Sequence, residues 1–187
     1  MTQQPQDTKT FLRNIPIFGG LQDHGLDQLL RLLEEKTFAV GESVLRQGDT
    51  ARSMFIVRAG EVVVRRAAPS GMMMKVVRLG PGEFFGETTL IEIHPSDVSI
   101  VVERPAVLYA LSNRALYQLY QQDQPAYTMV VLNIARELSR RLRKAEARVC
   151  ELADAAADDE HTQIGHEPAA PVPLGDRSAA TRGPRSG

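Results

Sequence analysis

Gly86-Glu87-Thr88-Thr89 sets a flexible backbone, one carboxylate and two hydroxyls in consecutive positions. If this run opens a short helical turn, its backbone N–H groups can point at a phosphate, since the first amides of a helix lack carbonyl partners of their own. The cation that should finish such a site is missing. Between Pro95 and the apolar run from Val98 to Val102, where an arginine would complete an anion pocket, the chain has Ser96 and Asp97. The stretch is either a nucleotide pocket for a different ligand or a pocket shape without one.

Other chemistry is excluded by residue type and spacing. The four histidines are His24, beside a helix cap, His94, near the strands, and His161 and His166, in the last part of the chain. They form no multi-histidine metal spacing, so a metal-dependent barrel enzyme is not expected. There is no nucleophile elbow, no phosphate-binding glycine loop ending in lysine, and no pair of catalytic carboxylates. Cys150 is a lone thiol with no second cysteine to pair with. No catalytic residue, metal or cofactor is expected. Met72-Met73-Met74 reads as strand packing, and Phe84 and Phe85 as core rings or, less simply, a base-stacking pair.

The elements that must position these residues fall into three blocks. Leu26, Leu29, Leu30 and Leu33 recur at one-face helical spacing behind Asp23, which can cap the first turn. From Thr37 to Ser112 the pattern becomes short β-rich pieces parted by Gly, Pro and Asp: TFAV, SVLR, MFIVR, EVVVRR, MMMKVVRL, EFFG, VSIVVE and AVLYAL. Such a series of eight antiparallel strands predicts a jelly-roll barrel, which leaves few open edges. Ser112 is placed to cap a following helix, which the Gln124-Pro125 step ends.

A longer helix is expected from Tyr127 to about Ala155. Along it, Val131, Ala135, Leu138, Leu142, Ala145, Val149 and Leu152 alternate spacings of four and three. That is a heptad seam, and it predicts a homodimer in which Arg141 at a g position faces Glu146 at an e position of the second helix. The simpler reading is a helix folded back on its own barrel. Arg136, Arg140, Arg143 and Lys144 on the same helix read as a solvated charged side. The expected organisation is a flexible segment over 1–10, a barrel domain over 11–124, the long helix over 125–155 and a proline-containing disordered tail over 156–187.

Composition bounds the function. With 187 residues, 43% of them hydrophobic, the chain can bury one real core. A formal net charge of -1 gives no general nucleic-acid or membrane surface. No apolar run approaches the ~18 residues of a membrane span, and the opening residues lack a secretory core, so a cytoplasmic protein with no membrane contact is expected.

A helix, a barrel carrying GPGEFFGE from Gly80 to Glu87, and a long dimerising helix together resemble the cyclic nucleotide-binding domains of catabolite-activator-type regulators and of cyclic-AMP-dependent kinase regulatory subunits. The likeness covers roughly residues 11–152, with Gly41, Gly48, Gly60 and Gly82 where the family has turn glycines. The resemblance implies that Glu87 accepts the ribose 2′-hydroxyl and that amides over Thr88, Thr89 and Leu90 cradle the cyclic phosphate. It also implies a ligand set of Phe85, Gly86, Glu87, Thr88, Thr89, Leu90, Ser96, Asp97, Val98 and Ser99.

The chain departs from the family at its phosphate arginine, whose position falls on Ser96 or Asp97. Losing a charge-assisted pair costs ~1.5–3 kcal/mol, and an acid ~4 Å from a phosphate adds up to ~4 kcal/mol of repulsion at a dielectric of 20. The expectation is therefore a non-enzymatic sensor with a non-standard pocket that signals through the dimer helix to an unidentified protein partner. Asp97 could read a guanine edge, which makes cyclic GMP or cyclic di-GMP candidate ligands. Arg65, Arg66, Lys75 and Arg78 are candidate replacement cations. A vacant dimeric adaptor, an ordinary cyclic AMP binder and a transcription regulator stay open; with no helix-turn-helix pattern after the long helix, DNA binding is not expected.

Overall fold

The computed structural model describes residues 5–68, 70–92 and 94–163. Helix α1 spans Pro5–Arg13, a short 3-10 turn covers Pro16–Phe18, and α2 spans Asp23–Leu32. Within the flexible start expected over 1–10, residues 5–10 belong to α1, whose Leu12 is fully buried and whose Lys9 reaches Asp27 at 2.6 Å; residues 1–4 lie outside the described residues. Asp23 is the first residue of α2 and not its cap; its carboxylate pairs with Arg13. The expected leucine stripe holds, with Leu26 and Leu29 buried and Leu30 and Leu33 packed against the same core.

Six antiparallel strands follow: β1 Glu34–Phe38, β2 Ser43–Leu45, β3 Ser53–Ala67, β4 Met73–Leu79, β5 Phe84–Phe85 and β6 Ser99–Ser112. They form one sheet in the order β1-β6-β3-β4, with β2 on β6 and β5 on β3. The eight-stranded closed barrel is corrected in count and closure. The pieces MFIVR and EVVVRR are the two arms of β3, and VSIVVE and AVLYAL the two arms of β6. Register shifts between Val57 and Val62 let the β3–β6 pair bend without ending, as a β-bulge does. Gly60 makes that bend available: its φ is +82°, and a Cβ there would lie 2.1 Å from the Pro105 carbonyl oxygen.

Period-two alternation sorts the strands between two hydrophobic clusters. Met54 and Ile56 of β3, Tyr109 and Leu111 of β6 and Phe84 face the helices. Phe55 and Val57, Leu108 and Ala110, and Phe85 face the opposite cluster, with Val62, Val64, Ile100 and Val102. The adjacent phenylalanines of β5 therefore serve different cores, and Phe85 stacks on Phe55 with centroids 5.3 Å apart.

Helix α3 is Thr88–Ile91. Helix α4, Asn113–Gln122, has the expected cap: the Ser112 hydroxyl accepts from the Ala115 amide at 3.1 Å. Helix α5 runs from Gln124 to Gln163. It starts three residues before the expected point because Asp123 accepts from the Ala126 amide at 3.0 Å, capping the new helix immediately. It also continues past Ala155, where Ala155-Ala156-Ala157 favours helix strongly. The tail expected over 156–187 is thus helical to Gln163, and 164–187 lie outside the described residues.

The chain divides into two compact units, ending and resuming at Arg143 and Lys144 within α5. In the first unit, α5 packs on its own domain through Ala126, Val130 and Ile134, with Tyr127 and Leu138 partly buried. That stripe shares only Leu138 with the heptad seam. Val131 is half-buried, Ala135 is exposed and Leu142 is 60% exposed. In the second unit Ala145, Val149 and Leu152 are exposed as well.

Candidate functional site

The segment from Phe84 to Glu92 is held as a unit by local bonds. Gly86 takes φ +77°, and a Cβ there would crowd the Ser53 carbonyl oxygen at 3.1 Å. The chain can therefore turn from β5 directly into α3. Thr89 is buried, and its hydroxyl donates to the Gly86 carbonyl at 2.7 Å. Its own carbonyl accepts from Asn113 Nδ2 at 2.9 Å, which ties α3 to the start of α4. Thr88 is exposed, and Leu90 packs against the helical core. A cleft of about 260 Å³ lies alongside, lined by Leu90, Asn113, Leu116, Tyr117, Tyr120 and Tyr127.

Glu87 is the buried acid of this segment, with a side chain only 5% exposed. Arg141 Nη1 donates to Glu87 Oε1 at 2.6 Å, and Nη2 donates to the Phe84 carbonyl oxygen at 3.2 Å. The guanidinium carbon sits 4.9 Å from the centre of the Phe84 ring, and Nε reaches Glu137 at 3.4 Å. A planar fork that stacks on an aromatic ring while pairing with a carboxylate is a use of arginine that lysine cannot copy. The expected role of Arg141 as a g-position partner of Glu146 concerns a second copy of the helix; within this chain its guanidinium is bonded to Glu87. Sequence reasoning missed this pair because the two residues are 54 positions apart, and a basic residue beside a heptad seam has a sufficient explanation in the seam itself.

The second expected segment has no cation either. Ser96 is buried, but its hydroxyl donates to the Val98 carbonyl at 2.8 Å, and its backbone N–H donates to the Asp49 carbonyl at 2.9 Å. It is a turn-forming residue. Asp97 is exposed, Val98 packs on the second hydrophobic cluster, and the Ser99 hydroxyl accepts from the Gln47 amide at 2.9 Å. Of the candidate replacement cations, Lys75 donates to Glu103 at 2.8 Å, while Arg78 pairs with Glu103 at 2.6 Å and also with Glu61. The Lys75 ammonium on Glu103, with Arg78 beside it, holds that carboxyl below its ordinary value of 4.5. Arg65 and Arg66 are exposed on β3, with Arg65 opposite Ser99 in register.

Among the described residues there is no cluster of metal-ligating side chains, and no helix long and apolar enough to cross a membrane.

Residues 35–123 match the family model described as cyclic nucleotide-binding domain. The chain is 30% identical over 139 residues to a cyclic AMP receptor protein of Thermus thermophilus, covering 72% of this chain and 61% of the relative. A crystal structure of the Thermus thermophilus catabolite activator protein superposes with a TM-score of 0.67 at 29% identity, over 74% of this chain and 63% of that one. A cyclic nucleotide-binding domain from Methylobacillus flagellatus gives a TM-score of 0.71 at 22% identity, over 78% and 84% of the two chains, and so shares the fold. The chain thus spans about three fifths of the length of its bacterial relatives, at 61% and 59% of two of them. Domains of this kind are regulatory sensors and not catalysts. In sequence and in fold, the segment 35–123 belongs to the cyclic nucleotide-binding domain family.

Proposed function

We propose that this protein is a non-enzymatic cyclic nucleotide sensor whose pocket departs from the family pattern and whose output passes through α5. The observation that carries this reading is the contact between Arg141 on α5 and Glu87 in the loop before α3. In the family, the glutamate at this position takes the ribose hydroxyl. Here it is also the point at which the long helix touches the ligand segment. A ligand that engages Glu87 must change the energy of that contact, and any such change biases the placement of α5. The bond from Asn113 to the Thr89 carbonyl supplies a second link, from α3 to α4.

The output surface in this reading is the heptad seam. Leu142, Val149 and Leu152 are 60%, 65% and 56% exposed, while a different stripe of α5 already packs on the domain. An apolar row left unpartnered at heptad spacing supports a homodimer, which would carry the signal to a protein partner. Cyclic AMP is the first ligand to test, since the Thermus thermophilus relative is named a cyclic AMP receptor protein. Cyclic GMP follows, and cyclic di-GMP is tested because Asp97 is exposed and acidic.

One observation favours a second reading, a ligand-independent dimeric adaptor of the same fold: Glu87 is already satisfied by Arg141. Mass spectrometry of small molecules released on heat denaturation of the purified protein, followed by calorimetric titration with each nucleotide, separates the two. A stoichiometric nucleotide or a saturable heat supports the sensor. Folded protein with neither supports the adaptor and sinks the sensor.

A further inference from the structure

We propose that Arg141 is the cation that meets the ligand's phosphate, supplied from α5 in place of the arginine absent at Ser96 and Asp97. The inference rests on reading the Glu87 segment as a cyclic nucleotide site.

Three observations carry it. First, Lys75 and Arg78 are both held by Glu103, and Arg78 also by Glu61. Second, Arg141 is already where such a cation is needed. In a 3′,5′-cyclic nucleotide the phosphate ring begins at the carbon next to the one bearing the 2′-hydroxyl. A ligand whose 2′-hydroxyl reaches Glu87 therefore brings its phosphate close to the guanidinium that Glu87 touches at 2.6 Å.

Third, the guanidinium has donors left over. Arginine carries five N–H groups. Among the described residues, Glu87, the Phe84 carbonyl and Glu137 engage one each, at Nη1, Nη2 and Nε. One N–H on each terminal nitrogen remains, and the side chain is 42% exposed. Arg141 can thus keep Glu87 and grip a phosphate together, held in orientation by the Phe84 ring. The same geometry weakens the grip, because Glu137 competes for the cation. Arg140 also pairs with Glu137 and offsets part of that competition.

The test is calorimetric titration of the full chain with cyclic AMP and with cyclic GMP, at salt from about 50 to about 500 mM. Wild type, Arg141→Gln, Arg141→Lys, Arg65→Gln and Glu137→Gln are compared, each first shown folded by circular dichroism. Loss of a charge-assisted contact predicts an affinity about 10- to 100-fold lower for Arg141→Gln, with a flatter salt dependence and partial recovery in Arg141→Lys. Glu137→Gln, which removes the competing acid, should bind more tightly than wild type, an outcome that a merely structural role for the Arg141–Glu137 contact would not produce. Should Arg141→Gln fail to fold, Glu137→Gln alone decides: unchanged or weaker binding overturns the proposal. A wild type that binds while Arg141→Gln binds equally well, or a salt-dependent loss seen with Arg65→Gln instead, overturns this assignment and leaves the sensor reading standing. A wild type that binds neither nucleotide overturns this assignment, and the sensor reading then stands or falls on the released-molecule analysis and the cyclic di-GMP titration.

Discussion

Asn133 of α5 donates its side-chain amide to the carbonyl oxygen of Gly19 at 2.8 Å, joining the long helix to the loop that precedes α2. The same nitrogen reaches the Ile17 carbonyl at 3.2 Å, and Asn133 is only 7% exposed. Two carbonyls at the end of the 3-10 turn thus depend on one side chain from more than a hundred residues away. Replacing it with leucine leaves them without that donor in a buried place. Asn133→Leu should lose about 2–4 kcal/mol of unfolding free energy. Urea denaturation with an unchanged slope would check it; a loss inside experimental error would mean that water satisfies these carbonyls.

The bend in β3 yields a backbone prediction. Gly60 combines φ +82° with a neighbouring carbonyl oxygen 2.1 Å from where a Cβ would sit. Neither a rotamer change nor a small shift relieves both conditions, because the obstacle is the backbone of β6. Gly60→Ala should cost more than about 2 kcal/mol, whereas Gly48→Ala, with open space around its Cβ position, should cost less. Melting temperatures of the two variants compare them directly, and equal shifts would contradict the argument.

Acid should weaken the cross-strand cluster on β3, β4 and β6. Hydrogen bonding from Lys75, then Arg78, lowers the Glu103 pKa below 4.5 in the folded protein. The unfolded chain therefore takes up this proton first as acid is added. The contribution of Glu103 is fully present above pH 4.5 and is lost as the pH falls through the depressed value. The melting-temperature gap between wild type and Glu103→Gln should be widest near about pH 7 and close toward about pH 3. A gap that stays constant across that range would show that proton linkage at Glu103 has no part in it.

The seam on α5 predicts an oligomeric state. With Leu142 and Val149 exposed in the single chain, a coiled coil would bury both. Wild type should sediment as a dimer, and Leu142→Lys combined with Val149→Lys as a monomer with its circular dichroism largely kept. Wild-type monomer at micromolar concentration would remove the dimer from the proposal.

The cap at Ser112 gives the smallest expected effect. Ser112→Ala deletes the acceptor for the Ala115 amide and should cost roughly 1 kcal/mol, in the usual range for a lost N-cap. Thermal unfolding monitored by circular dichroism is the measurement, and restoration by Ser112→Asp would confirm capping as the cause.

Much of this protein is local chemistry, and that much could be read from residue order. The leucine stripe of α2, the Ser112 cap, the β-rich centre and the segment Gly86–Leu90 are patterns spanning a few residues, set by side-chain period and turn geometry. The family resemblance follows from the same short patterns. What failed at this range failed for a physical reason. Gly60 and Pro105 look like strand breaks in sequence, yet packed against each other where the β3–β6 register shifts they make a bend in two continuous strands. The part of α1 over 5–10 reads as flexible in sequence because its contacts, such as Lys9 on Asp27, come from partners that no local period reveals.

The sequence alone determined that the run Gly86-Glu87-Thr88-Thr89 resembles the family's phosphate-binding segment and that Ser96 and Asp97 stand where an arginine was expected. Only the tertiary structure decided which positive charge stands at Glu87. Arg141 reaches it from α5, and a contact across 54 residues depends on the packing of that helix, which no short stretch encodes. It likewise decided that α5 covers its own domain with Ala126, Val130 and Ile134 and leaves Leu142, Val149 and Leu152 of the heptad seam exposed, since one helix carries two apolar stripes and packing selects between them.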